Sequence, residues 1–252
     1  MNEAAQHAVG PLNEAMDVHG SAMLDYLNGE RDAAVIMHRD DGFTYPPIFA
    51  ERWFYKGGFP IIDTKALSLC KGAVLNIGAS SGSHSLFLEE LGLRVISLDA
   101  SPQAVEVMRR RIVKDPVVGD LDSLQGPFDS ILLLCGLGVT GSIDGVRRFL
   151  ERAKGHLNPG GVIITDCTHP RADSLEASQR YCDLQAAQGR YEGERTLRFE
   201  YKGVFGPWFR WLSIAPEALE AHAKDLGFEC TAVYSELGRS LCVLSHIDDT
   251  RP

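Results

Sequence analysis

The stretch VLNIGASSGSHSLFLEELGLRVISLDAS, Val74 to Ser101, constrains the fold more than any other part of the chain. An apolar run stops at Gly78, small residues lead to Gly82, an amphipathic stretch follows, and a second apolar run ends on Asp99. That order is strand, tight turn, helix, strand, acid. Continuous apolar runs suit strands buried on both faces, as in parallel sheets. Parallel neighbours need a crossover, and the intervening helix supplies it with right-handed sense.

The alternation continues downstream. SPQAVEVMRRR reads as a helix with Pro102 in its first turn, PVVGD as a short third strand and FDSILLLC as a fourth. GVRRFLERAKGHL is a helix, NPGG a turn and VIITDC a fifth strand. APEALEAHAKDLGF is a helix closed by Gly227, and ECTAVYSE and SLCVLSHI are two strands joined by a tight turn. Ahead of the first strand, DTKALSLC reads as a short helix with Asp63 as its N-cap. The expectation is an α/β fold: a doubly wound, Rossmann-like, mainly parallel seven-stranded sheet that ends in an antiparallel hairpin. Two regions stand outside it. Residues 1-62 read as helical and then irregular. Residues 168-215 form an insertion after strand five, in which RTLRFEYKG alternates like an antiparallel strand. Both are expected to act as lid segments beside a core of 63-167 and 216-247.

Charge and cysteine usage exclude several function classes. Lys and Arg number 25 against 34 Asp and Glu, a net charge of −9 that repels phosphate backbones and argues against a nucleic-acid partner. The basic run MRRRIVK reads as a solvated helix face. Six cysteines without a CxxC pair suit a reducing compartment. No run approaches the ~20 apolar residues of a membrane span, and the opening MNEAAQHAVGPLNEAMD is too polar for a signal sequence. The expectation is a cytoplasmic chain with no membrane partner. No ligand spacing points to a metal.

A dinucleotide fingerprint beginning at Gly78 needs glycine at positions 80 and 83, where this chain has Ser80 and Ser83. A phosphate-binding P-loop needs a lysine that the turn lacks. The small residues Gly78-Ala79-Ser80-Ser81-Gly82 still let a ligand approach the backbone closely. Asp99 can accept from both hydroxyls of a ribose, and Asp120, after the third strand, from an exocyclic amine of adenine. The bland alternative makes Asp99 a helix cap and Asp120 a turn residue.

Taken together, the Val74 to Arg111 stretch, GD at 119–120, FDSILLL, LNPGGVIITD and the closing hairpin resemble the class I S-adenosylmethionine-dependent methyltransferases over roughly Gly72 to Ile247. The resemblance places Gly78, Ala79, Ser80 and Gly82 beside the methionine part of the cofactor. It puts Asp99 on the ribose with Ala100 at the adenine, and Asp120 and Leu121 at the adenine edge. Leu134, Cys135 and Gly136 fall by the sulfonium and the substrate. The chain departs from the family at Asn76, which replaces the usual acid and keeps hydrogen-bonding capacity, and at Ser80, where a second glycine is common.

The implied reaction is in-line methyl transfer from S-adenosyl-L-methionine to an O, N or C nucleophile of a small molecule. The alternatives are a protein side-chain methyltransferase, or a nucleotide- or NAD-binding Rossmann protein without transferase activity. Related enzymes often close over the cofactor with an N-terminal aromatic, a role that falls to Tyr26, seven residues after His19. His84, in the first turn after the glycine loop, is a further candidate cofactor contact. His38 and Arg39 are candidates for holding substrate, Trp208 and Trp211 for lining its pocket, and His169, after strand five, for the general base.

Overall fold

The computed structural model describes residues 12–134 and 136–247. The chain opens with α1 (Leu12–Leu27), β1 (Ala34–Arg39), β2 (Ile48–Phe49), a 3-10 turn over Ala50–Phe54 and α2 (Ile61–Leu69). The alternating core follows: β3 (Ala73–Ile77), α3 (Ser83–Glu90), β4 (Arg94–Asp99), α4 (Pro102–Arg110), β5 (Pro116–Val118), β6 (Phe128–Leu133), α5 (Ile143–Lys154) and β7 (Leu157–Thr168). Next come α6 (Glu176–Ala187), β8 (Glu194–Tyr201), β9 (Val204–Phe205) and β10 (Phe209–Leu212). The chain then returns to the core through α7 (Pro216–Lys224), β11 (Phe228–Glu236) and β12 (Arg239–His246).

The large sheet has the order β11-β12-β7-β6-β3-β4-β5. All neighbours from β7 to β5 run parallel, while β12 is antiparallel to both β7 and β11. The α/β expectation with a closing hairpin therefore holds. Residues alternate between its two faces. Leu75, Ile131, Leu133 and Ile163 pack with Val146, Leu150 and Leu219 of α5 and α7. Val74, Leu132 and Ile164 pack with Ile62 and Ala66 of α2 and Leu88 of α3. Helix starts are locally encoded. Ser101 Oγ accepts the Ala104 N–H ahead of Pro102, and Ser142 Oγ accepts the Gly145 N–H.

A second, antiparallel sheet, β10-β8-β1-β2 with β9 on β8, unites the two outlying regions. β1 pairs with β8 through Met37↔Phe199 and Arg39↔Leu197. The stretch after α1, expected to be irregular, thus contains two strands. The alternation read in RTLRFEYKG is real, with every second residue of β8 buried. α1 fastens this roof to the core, because Ala22, Met23 and Tyr26 share one apolar cluster with Val35, Leu197 and Phe199 of the roof and Ala104 and Val107 of α4.

Two local expectations change. Asp63 is not an N-cap: α2 starts at Ile61 after Pro60, and Asp63 is fully buried within it. The basic run is not wholly a solvated face. Arg109 and Arg110 are exposed, but the Arg111 Nη1 donates to Ser81 O (2.6 Å) and to the Oγ atoms of Ser81 (2.9 Å) and Ser83 (2.8 Å), clamping the glycine turn from below.

Candidate active site

Strand order reverses around β3, and ligands of open α/β sheets bind outside the carboxyl ends of strands at such a point. A cavity of about 1460 Å³ lies there, between the large sheet and the roof. Its floor is built by Gly78, Ala79, Ser80 and Ser81 after β3, Asp99 at the end of β4 with Ala100 beyond it, and Asp120 and Leu121 after β5. Met37, Tyr45, Leu197, Phe199, Phe209 and Trp211 of the roof region face them.

The floor is held from within. Asp99 Oδ2 accepts the Ser80 N–H (2.8 Å) and Oδ1 accepts the Ser101 N–H (2.9 Å), so one carboxylate ties the glycine turn to the start of α4. Burial raises its pKa, opposed by those backbone donors. Each oxygen keeps a second lone pair for an incoming hydroxyl. The N-cap of α4 is Ser101 and not Asp99, whose two backbone bonds leave room for a ribose contact. Asp120 Oδ1 accepts the N–H groups of Asp122 and Ser123 (3.1 and 3.2 Å), which makes it the cap of a short 3-10 turn at the exposed rim of the cavity. Ser80 adopts φ +56°, a backbone state that favours glycine.

Several expected contacts lie elsewhere. Asn76 does not line the cavity; its Nδ2 donates to Ser85 Oγ (2.9 Å), which also accepts from Ser97 Oγ (2.7 Å), a buried network joining β3, α3 and β4. Gly82 faces backwards at φ +77°, where a Cβ would stand 2.6 Å from Val113 Cγ2. Leu134 lines the cavity, Gly136 abuts Asp166 behind the wall, and Cys135 lies outside the described residues. Tyr26 is a core residue: its ring packs on Phe54 with centroids 4.7 Å apart and its hydroxyl donates to Glu51 Oε1 (3.0 Å). His38 is occupied by Glu200 (2.7 Å) and Thr44 (3.1 Å), and buried Arg39 by Asp41 (2.8 Å), so neither faces the cavity. Trp208 lies under the Arg198 guanidinium on the outer side, whereas Trp211 lines the cavity. His169 stands exposed at the rim, and its Nδ1 accepts the Arg171 N–H (3.2 Å). A neutral ring so bonded presents Nε2–H, a donor, which does not suit a general base.

Sequence reasoning missed a charged cluster in the same wall. Asp63 Oδ2 meets His84 Nε2 (3.1 Å), Asp63 Oδ1 meets Arg239 Nη1 (3.1 Å), and Arg239 Nε donates to Asp166 Oδ2 (2.7 Å). Burial alone would raise the Asp63 carboxyl, but the contacts with His84 and Arg239 outweigh it and hold it below the usual range. Asp166 moves the other way: burial raises it, and the Arg239 charge offsets only part. Also unforeseen as a cavity group, His19 sits edge-on to Trp53 with centroids 4.0 Å apart, and burial lowers its pKa to about 4. The Asp63–Arg239 contact joins residues 176 positions apart, which no local pattern announces. Among the described residues no group of three His, Cys, Asp or Glu side chains is placed to hold a metal ion.

A doubly wound sheet with a small-residue turn, acids after two adjacent strands and a roofed crevice defines a nucleoside-binding α/β protein. Residues 75–165 match a family model described as a methyltransferase domain. The chain is similar over 95% of its length to the solved structure of a SAM-dependent methyltransferase from Bacteroides fragilis in complex with S-adenosyl-L-homocysteine, with 27% identity, a TM-score of 0.80 and 98% of that chain covered. It is 30% identical over 105 residues to a demethylmenaquinone methyltransferase of Tropheryma whipplei (strain Twist), and 31% over 103 residues to a cypemycin N-terminal methyltransferase of a Streptomyces species. These stretches are 39% and 38% of this chain, and the chain spans less than half of those curated relatives, 43% and 42%. The fold and the matched stretch are those of an S-adenosylmethionine-dependent methyltransferase domain.

Proposed function

We propose that this chain transfers the methyl group of S-adenosyl-L-methionine to a small-molecule acceptor enclosed between the two sheets. The observation that carries this reading is the single cavity running from Asp99 and Asp120 to Phe209 and Trp211. At about 1460 Å³ it exceeds the ~300–1,000 Å³ typical of a pocket for one ligand, so a cofactor and an acceptor fit together.

The residues present suit the cofactor. Asp99 offers lone pairs to a ribose, the small side chains of Gly78 to Ser81 leave the backbone open to the methionine part, and Asp120 borders the adenine edge. When bound, the cofactor supplies an electrophilic methyl on a sulfonium. The chain itself positions and excludes water: correct alignment of nucleophile and methyl is worth up to ~7–11 kcal/mol in favourable cases. The apolar roof keeps the reacting centre dry. A proton acceptor is needed only for an acceptor that enters protonated, and Asp166 and neutral His19 are among the cavity groups able to serve.

A roof over the crevice favours a small molecule over a protein side chain, which needs an open groove. One relative is named for demethylmenaquinone and another for the N-terminus of cypemycin. Names within the family therefore do not select the acceptor. Calorimetric titration with S-adenosylhomocysteine and with NAD tests the reading. Binding of the former and none of the latter is expected, and the reverse result would refute it. Methyl transfer from labelled cofactor into a metabolite pool, rather than into lysate proteins, is the second expectation.

A further inference from the structure

By period-2 alternation β8 turns Arg195, Leu197, Phe199 and Tyr201 to the buried side of the roof. Three of these are apolar or aromatic and one is a guanidinium. Arg195 is 9% exposed and lines the cavity. Its Nη1 donates to Gly193 O (2.8 Å), and its Nη2 to Pro170 O (2.9 Å) and Cys182 Sγ (3.7 Å). All of these partners are neutral. Arg39, the other buried arginine among the described residues, is neutralised through two bonds to Asp41. A buried cation with no counter-charge is costly, and carbonyl dipoles offset only part of that cost. The missing anion has one direction to come from, the cavity.

The surroundings describe its carrier. Trp211 of β10 is the register partner of Arg195, which places both side chains on one face of the sheet. The indole is pressed onto Gly138, just past β6, where a Cβ would fall 2.1 Å from Trp211 Cε2. A fixed aromatic plane beside a guanidinium matches a flat molecule ending in a carboxylate, which accepts charge-assisted hydrogen bonds. We propose that Arg195 is the specificity determinant of the acceptor site, and that it holds a carboxylate on an acceptor whose apolar, flat body lies against Trp211. This rests on the transferase reading above. The cofactor's own α-carboxylate carries the same chemistry, but the glycine turn, where the methionine part is placed, is bordered by His84 and Arg239 of the floor, whereas Arg195 belongs to the roof.

The test titrates the wild-type protein, saturated with S-adenosylhomocysteine, with benzoate, 2-naphthoate and indole-3-acetate, each against its primary amide. The acids are expected to bind at least tenfold more tightly than the amides. Arg195→Met should erase that preference while leaving the S-adenosylhomocysteine affinity intact, and Arg195→Lys should keep part of it. Equal binding of acids and amides, no binding of any acid, or a preference that survives in Arg195→Met would each overturn the proposal. So would a loss of S-adenosylhomocysteine affinity in Arg195→Met that 5′-methylthioadenosine does not share, since the charge would then serve the cofactor. Should Arg195→Met fail to fold, the acid–amide comparison on wild type and Arg195→Lys decides alone. Failure of wild type to bind S-adenosylhomocysteine would strike the transferase reading instead, so the two failures are distinct.

Discussion

The floor and the roof of the cavity are built on opposite principles. The floor is polar and stitched by local bonds: Asp99 holds the backbone of its own turn and of the next helix, and Asp120 caps the residues that follow it. The roof is aromatic, with Phe199, Phe209 and Trp211 in contact and only Arg195 interrupting the apolar face of β8. A surface of fixed hydrogen-bond groups suits a ligand that never changes, such as an adenosyl group. An apolar surface with one placed charge suits an acceptor that differs between members of a family. The contrast separates the part of the molecule that defines the class from the part that defines the individual.

The sharpest way to break this division is Asp99→Ala. It should weaken S-adenosylhomocysteine binding by ~1.5–3 kcal/mol, roughly 10- to 150-fold, as charge-assisted bonds are lost. Calorimetry that found an unchanged affinity would reduce Asp99 to a tie between the glycine turn and the start of α4.

The roof should in turn carry its own pH signature through His19. Its pKa is about 4 in the fold against an ordinary 6.5. Between those values the unfolded chain binds more protons, so stability falls as pH drops from about 6.5 towards 4. Allowing for the ring's partial exposure, the loss between pH 7.5 and 5 should be about 1.5 kcal/mol. Urea unfolding at pH 7.5 and 5 should show it in wild type and show less of it in His19→Phe.

Gly138→Ala should push the Trp211 indole aside. Overpacking of this kind costs about 1–2 kcal/mol, and here it should appear in acceptor binding while cofactor affinity stays put. A variant that loses both together would merge roof and floor into one unit.

The smallest effect belongs to Tyr26→Phe, which removes one half-buried bond to Glu51 worth ~0.5–1.5 kcal/mol of stability. Unaltered S-adenosylhomocysteine affinity is expected, since Tyr26 packs in the α1 core. A weakened affinity would restore the aromatic-lid role expected from the family.

How much was legible follows the same boundary. The elements of the core could be read because each is announced locally, by apolar runs, by Ser101 and Pro102 at the start of α4, and by Gly227 after α7. Asp99 and Asp120 could be proposed for the cofactor from their position at strand ends. Asn76 and Gly82 misled because a sequence does not say which way a side chain points: one turned into a buried serine network, the other towards Val113. β1 escaped notice because AVIMHR becomes a strand by pairing with β8, some 160 residues later, and strand preference depends on that partner.

Residue order alone determined the parallel core, the acidic balance and the positions of Asp99 and Asp120, since helix periodicity, apolar runs and turn chemistry act over a few residues. The tertiary structure decided the roof, the Asp63–Arg239–Asp166 cluster and the isolation of Arg195. Each of these depends on which distant segments meet, and on whether a buried charge finds its opposite when they do.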